Sequence, residues 1–220
     1  MKFEYALMGA RGRMGQAIVK NQEAFGAECV SELGRNISEV KELSKDCKIL
    51  IDFSLPEATP SVLAFCREHS LKLVSGVTGY SNSQIEDLKK YSEENAVFWS
   101  PNMSLGVAIF KHMLKSLNAA KDWDYHLHEA HHIHKLDRPS GTAKYLQKAT
   151  EDVVGKEVPV TDMRGGGVFG VHELYAMSPE EEIQITHRAY NREVFAKGAL
   201  KAALWMQAKD KGFYSMDDMF

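Results

Sequence analysis

Cysteine is scarce in this chain: three in 220 residues (Cys29, Cys47 and Cys66), an odd number with no C-x-x-C spacing. That supports neither a disulfide framework nor a cysteine zinc site, so the three read as reduced, mostly packed thiols. An excess of one charge is missing too. The 27 Lys and Arg face 30 Asp and Glu for a net −3, without the basic surplus that grips nucleic acid. No long hydrophobic run suggests a membrane span, and the opening residues 1–8 are broken by Glu4 and too short for a signal-peptide core. The chain is therefore expected in the cytoplasm. Only six prolines, no repeat and no low-complexity stretch occur, which sets aside disordered and fibrous classes. What is present is an ordinary globular balance, 44% hydrophobic and 26% charged, in a length that suits one or two domains.

The first hundred residues alternate strand-like runs with helix-patterned stretches, the mark of a parallel sheet with crossover helices. Residues 3–8, 27–33, 48–53, 71–75 and 96–100 read as five strands; 13–25, 37–45, a stretch opened by Pro56, and 83–95 read as helices between them. The predicted class is α/β. Its N-terminal part is a Rossmann-type, dinucleotide-binding parallel-sheet domain over 1–103, completed by a C-terminal helix within 191–220 whose Val194, Phe195, Leu200, Ala203 and Leu204 form an apolar stripe. Residues 104–190 are predicted as an α+β domain with an open mixed sheet. That prediction rests on a helix over 105–120, alternation in 123–128, a helix over 139–154, and alternating runs in 158–177 and 182–190.

The first strand runs into Gly9-Ala10-Arg11-Gly12-Arg13-Met14-Gly15, the Gly12-x-x-Gly15 part of a dinucleotide fingerprint between strand and helix. Glycines there let backbone amides approach a pyrophosphate, and the helix start adds N–H donors and the positive end of its dipole. Glu32, at the end of the second strand, is the expected carboxylate for ribose hydroxyls. Arg11 and Arg35 offer charge to a 2′-phosphate.

Five of the nine histidines crowd into 126–134. His128-Glu129-Ala130-His131-His132 satisfies H-E-x-x-H as written, which would make a zinc hydrolase if it lay on a helix. The local alternation indicates strand and loop instead, and no metal site is predicted. A second reading pairs His131 and Lys135 as proton-handling groups beside a helix start built from Pro139, Ser140, Gly141 and Thr142, parts that suit an anionic substrate. Hydride plus proton transfer follows.

Taken together, these segments resemble the 4-hydroxy-tetrahydrodipicolinate reductase (dihydrodipicolinate reductase) family. The resemblance is carried by Gly9-Ala10-x-Gly12-Arg13-Met14-Gly15, Ile51-Asp52-Phe53-Ser54, Gly76-Val77-Thr78-Gly79 and Asn102-Met103-Ser104-Leu105-Gly106. It continues through Glu129-Ala130-His131-His132-x-x-Lys135-x-Asp137-x-Pro139-Ser140-Gly141-Thr142-Ala143 and His187-x-Ala189-x-x-Arg192-x-x-Phe195-Ala196-x-Gly198-Ala199. It implies NADH- or NADPH-dependent reduction of 4-hydroxy-tetrahydrodipicolinate, a small cyclic dicarboxylate, on the diaminopimelate route to lysine. A homotetramer built on the middle domain's open sheet is implied as well. His131 and Lys135 match the family's proton-transfer residues; His132, Gly141 with Thr142, Ser140 and Arg192 are the expected substrate contacts. Gly9, Ala10, Arg11, Gly12, Arg13 and Met14 match the pyrophosphate loop, and Glu32 the ribose acid. Phe53, Gly76, Val77 and Thr78, and Ser100, Pro101, Asn102 and Met103, match the nicotinamide end. Val77 stands where many members have threonine, and Leu33 where NADP-using relatives often have arginine. The competing readings are another two-domain nicotinamide oxidoreductase for an amino-dicarboxylate, the zinc hydrolase, and a non-catalytic nucleotide sensor.

Overall fold

Short aliphatic runs alternate with amphipathic stretches along the chain, and the computed structural model, which describes residues 2–220, orders them as follows. The N-terminal part holds β1 (Phe3–Met8), α1 (Arg13–Asn21), β2 (Ala27–Leu33), β3 (Cys47–Asp52), α2 (Thr59–Glu68), β4 (Lys72–Ser75), α3 (Asn82–Ser92) and β5 (Ala96–Trp99). Then come α4 (Leu105–Leu114), β6 (Asp124–His131), α5 (Gly141–Val154), β7 (Val160–Arg164), β8 (Gly170–Met177) and β9 (Glu182–Ala189). The chain closes with α6 (Glu193–Met206) and β10 (Gly212–Tyr214). Two compact units result, one of residues up to Ser104 together with Glu193–Phe220, the other Leu105–Arg192.

Unit 1 is a six-stranded sheet in the order β10-β5-β4-β3-β1-β2, every neighbouring pair parallel. Parallel strands are buried on both faces, hence the nearly unbroken apolar runs Ile49-Leu50-Ile51 and Ala96-Val97-Phe98, all fully buried. One face packs Val62, Leu63, Phe65 and Cys66 of α2 with Leu88 and Tyr91 of α3 over Ala6, Leu50, Leu73 and Val97. Each such aliphatic or aromatic side chain contributes about 1.5–3 kcal/mol on burial. On the other face α6 packs on α1 and on β3, β4 and β5. Lys72 Nζ donates to the carbonyls of Met206 (3.1 Å) and Gln207 (2.9 Å), satisfying the orphan acceptors at the end of α6.

Unit 2 is a four-stranded mixed sheet, β7-β6-β8-β9, in which β6 pairs parallel with β7 and antiparallel with β8. One face carries Tyr125, Leu127, Leu174, Ala176 and Ile185 against Val107, Phe110 and Leu114 of α4 and Leu146 and Val154 of α5. The period of two puts His126, His128, Thr161, Tyr175 and Gln184 on the opposite face, where both histidines bond Thr161 Oγ1 and Gln184 reaches Tyr175. Among the described residues no helix is long and apolar enough to cross a membrane.

Several expectations need correction. The helix expected over 37–45 is only the turn Ile37–Glu39, because Ile37, Val40 and Leu43 at helix-like spacing pack onto the unit 1 core from irregular chain. The helix over 105–120 is α-helical only to Leu114 and tightens to a 3-10 segment, Lys115–Ala120. Helix α5 starts at Gly141 rather than Pro139, since Ser140 is extended (φ −63°, ψ 156°) and caps Ala143 N–H at 3.1 Å. A sixth parallel strand, β10, was too short for periodicity to reveal. In line with the expected strand and loop, His128 lies within β6 and His132 just beyond its end, so the helical face that H-E-x-x-H requires does not form. Cys47 and Cys66 are buried free thiols and Cys29 is half-buried.

Candidate active site

In unit 1 the candidate cleft opens where the chain leaves β1 and β2 at their carboxyl ends, the position at which parallel sheets present ligands. It measures about 590 Å3 and is lined by Gly9, Ala10, Arg11, Gly12, Glu32, Leu33, Gly34, Arg35 and Asn36. Gly9 takes φ +85°, and a Cβ there would stand 2.8 Å from the carbonyl oxygen of Phe53. A Cβ on Gly15 would fall 2.4 Å from Gly9 O, so only glycine lets α1 pack this close to the loop. Gly12 caps α1 without a side chain, and the first turn holds no acidic residue. The orphan N–H groups of that turn therefore form a donor set suited to a phosphate. Glu32, Arg11 and Arg35 are exposed around the cleft. The Leu33 side chain is 3% exposed and belongs to the core, so only its backbone serves here, with Leu33 O accepting Gly9 N–H at 3.2 Å.

The other expected cofactor residues follow the ends of β3, β4 and β5, stitched sideways by Phe53 N to Met8 O (3.1 Å), Gly76 N to Asp52 O (2.9 Å) and Ser100 N to Ser75 O (3.2 Å). The Phe53 ring lies over Gly76, where a Cβ would stand 2.3 Å from it. Val77 turns its side chain into the core, donates its N–H to Ser75 Oγ and accepts from Trp99 Nε1. The missing threonine hydroxyl is thus a core substitution. Thr78 and Pro101 are exposed. Ser100 Oγ donates to Asn102 O, Asn102 Oδ1 accepts Ser104 N–H, and Met103 is buried. Beneath this rim the Asp52 carboxyl is buried, with Oδ1 accepting Ser54 N–H and Oδ2 unpaired, and burial raises its pKa to about 6.

In unit 2 strand register assembles the chemistry. Glu129 pairs with His172, which pairs with His187, and His131 pairs with Arg164, so alternation sends all five side chains to one face of β6, β7, β8 and β9. His131 Nδ1 lies 2.5 Å from Glu129 Oε2, and Arg164 holds the same carboxylate from two nitrogens (3.0 and 2.7 Å) with side-chain exposures of only 3% and 0%. Burial pushes Glu129 upward, but Arg164, His131 and the Ser140 amide outweigh it and hold the carboxyl below its ordinary value. Burial lowers His131, against the upward pull of Glu129. His172, its ring 5.4 Å from His131, is brought down to about 3, first by burial and then by the neighbouring histidines.

The loop after β6 brings Lys135 to this cluster. Its Nζ lies 2.8 Å from Asp137 Oδ1, and Asp137 Oδ2 accepts the Gly141 N–H at 3.1 Å, so one carboxylate holds both the ammonium and the first amide of α5. Ser140, an expected substrate contact, is buried, with its N–H on Glu129 and its Oγ accepting the Ala143 N–H at the start of α5. His132 is half-buried with Nδ1 unpaired. Arg192 follows β9, whose Ala189 pairs with Gly170 beside the His131 ring. Sequence reasoning assigned no role to Glu129 outside the zinc motif and none to Arg164. No local signal marks Arg164, because it reaches Glu129 across 35 positions through a parallel strand pairing.

Comparison with known proteins adds independent findings. Residues 3–103 match the model of the dihydrodipicolinate reductase N-terminus, and residues 106–220 that of the C-terminus. The chain is similar to the 4-hydroxy-tetrahydrodipicolinate reductase of Bdellovibrio bacteriovorus, 42% identical over 99% of this chain and 96% of the relative. Its similarity to the enzyme of that name from Archaeoglobus fulgidus is 35%, over 97% and 98%. Among solved structures, dipicolinate-bound dihydrodipicolinate reductase from Paenisporosarcina sp. TG-14 shares the fold with a TM-score of 0.83 at 20% identity over the whole of both chains. With both parts matched and relatives aligned along its full length, this chain belongs to the dihydrodipicolinate reductase family, NAD(P)H-dependent oxidoreductases of lysine and diaminopimelate biosynthesis.

Proposed function

We propose that the two units divide the reduction of 4-hydroxy-tetrahydrodipicolinate to tetrahydrodipicolinate: unit 1 holds NADH or NADPH, and unit 2 holds the cyclic dicarboxylate and handles the proton. The observation that carries the reading is the meeting, on one sheet end, of His131, Lys135 and the amide end of α5.

In unit 1 the loop of Gly9, Ala10, Arg11, Gly12, Arg13 and Met14 cradles the pyrophosphate: Gly9 and Gly12, whose own N–H groups are held by Leu33 O and Gly9 O, give it backbone room, the first turn of α1 supplies donors, and the exposed Glu32 accepts from ribose hydroxyls. Arg11 and Arg35 share that cleft and offset a 2′-phosphate, so both nucleotides are served; the core position of Leu33 removes it from the choice. Phe53, Gly76, Val77 and Thr78 with Ser100, Pro101, Asn102 and Met103 shape the nicotinamide end. A bound reduced nicotinamide supplies a hydride to C4 of the substrate ring.

In unit 2 a substrate carboxylate takes the donors that Asp137 holds, Lys135 Nζ and the Gly141 amide, with Thr142 beside them. His132 and Arg192 contact the rest of the dicarboxylate, and Ser140 supports the helix start from within. Loss of the 4-hydroxyl as water consumes one proton, delivered by Lys135 and His131 acting together as general acid. The uncovered sheet face around His128, Thr161 and Tyr175 forms the homotetramer, which sedimentation of the full chain would show, and the enzyme works in the cytoplasm.

Lys135→Ala tests the assignment. With substrate made in situ from pyruvate and aspartate semialdehyde, its kcat should fall by about 10²–10⁴-fold. NADH affinity, read by fluorescence titration, should stay unchanged. An equal loss of NADH affinity would overturn the division between units.

A further inference from the structure

Glu129 occupies the centre of the unit 2 cluster, yet the roles above do not use it. Its carboxylate is fully buried and receives four N–H groups: His131 Nδ1 (2.5 Å), Arg164 Nη1 (3.0 Å), Arg164 Nη2 (2.7 Å) and Ser140 N (3.0 Å). The other donors of Arg164 are also spent, Nε on Lys135 O (3.2 Å), Nη1 on Met163 O (2.8 Å) and Nη2 on Asp137 O (2.6 Å). All five guanidinium hydrogens are thus committed, and the fork cannot swing away without breaking both the carboxylate contact and the loop that carries Lys135.

This arrangement fixes where a proton sits. A carboxylate paired bidentately with arginine and bonded by a further amide is ionised, and an ionised carboxylate only accepts. The hydrogen on the 2.5 Å contact therefore belongs to Nδ1 of His131. Nε2 is left at the opposite edge of the ring, beside Gly170, where even one Cβ would approach it to 3.1 Å. The charged and titratable groups facing His131 are Glu129 on β6, Arg164 on β7, His172 on β8 and Lys135 in the following loop, with His187 of β9 stacked on His172. Of these only Glu129 contacts a ring nitrogen within hydrogen-bond distance.

We propose that Glu129, clamped by Arg164, is a positioning residue for the reduction: it pins one hydrogen on Nδ1 of His131, so that the proton handed to the substrate is a second one, taken up from solvent at Nε2 to give the imidazolium that Glu129 stabilises and released again from Nε2. The inference rests on the assignment of proton handling to His131. A merely structural Glu129–Arg164 pair would hold the loop and the helix start but leave the ring tautomer and the pH profile where they are.

The test is Glu129→Gln in the full chain, followed by nitrogen-15 NMR of labelled histidines, the pH dependence of kcat and kcat/KM, and NADH titration. The amide removes the anion, so the protonated Nδ1 signal of His131 should be lost or mixed with the other tautomer. With it kcat should fall by about 10²–10⁴-fold while KM moves by less than about threefold and NADH affinity is unchanged. Because this variant strands Arg164, Glu129→Gln combined with Arg164→Met removes both buried charges together and should show the same loss of the Nδ1–H signal and of kcat. His131→Gln is measured in parallel. If it turns over like the parent, proton handling by His131 fails and the proposal fails with it. If it is inactive while both Glu129 variants keep the parent's kcat, pH profile and Nδ1–H signal, the positioning role alone is overturned.

Discussion

Unit 1 presents its cleft surface as main chain, with Gly9 in a left-handed turn, Gly15 admitting α1 to within contact of the loop, and charged side chains exposed around the rim. Unit 2 presents buried side chains, a carboxylate at zero exposure that gathers His131, Arg164 and the start of α5. The first surface depends on atoms that are absent and the second on charges that are present. A site made of amides tolerates many neighbouring side chains but no added Cβ; a site made around a buried ion pair tolerates small shape changes but not the loss of one partner.

That contrast breaks most severely at Arg164. Arg164→Met leaves Glu129 buried without its counter-charge, and stability should drop by about 3–5 kcal/mol, read as a lower urea midpoint; restoring neutrality with Glu129→Gln should recover most of it. Next comes Gly15→Val, which drives a Cβ into Gly9 O and should weaken NADH binding by about 100-fold or more while the Glu129–His131 cluster keeps its histidine NMR signals.

A smaller effect separates the units by pH. His172 is neutral when folded down to about pH 3 but protonates below about 6.5 when unfolded, so stability falls as pH drops through that window, by about 1.4 kcal/mol per unit. Asp52 works in the opposite sense. Its folded value of about 6 lies above the unfolded one near 4, so its contribution is lost as pH rises between them. His172→Asn should therefore flatten the acid limb of stability, and Asp52→Asn should steepen the decline from pH 6 to 4, both read by urea titrations across that range. The smallest change is expected at the cleft rim: Arg35→Ala should lower kcat/KM for NADPH relative to NADH by about tenfold or less, as fits one exposed charge contact. An unchanged ratio would assign the 2′-phosphate to Arg11 alone.

The glycine loop was legible because its information is local: three glycines, a strand before and a helix after lie within 25 residues. The histidine segment was legible for the same reason, since alternation in 125–129 pointed to a strand and against a helical zinc motif. Signals failed where local spacing and packing disagree. Ile37, Val40 and Leu43 look helical and are only three places where irregular chain touches the core.

The α/β class, the parallel first sheet, the glycine turn, Lys135 and the family resemblance are all written in short-range pattern and residue identity, and so can be read from the order of residues alone. Folding in three dimensions is what brings Arg164 to Glu129, lines His172 and His187 up beside His131, and turns Leu33 to the core and Glu32 to the cleft. The reason is strand register. Pairing β6 with β7 and β8 juxtaposes residues tens of positions apart, and shifting it by one residue would send every one of those side chains to the other face.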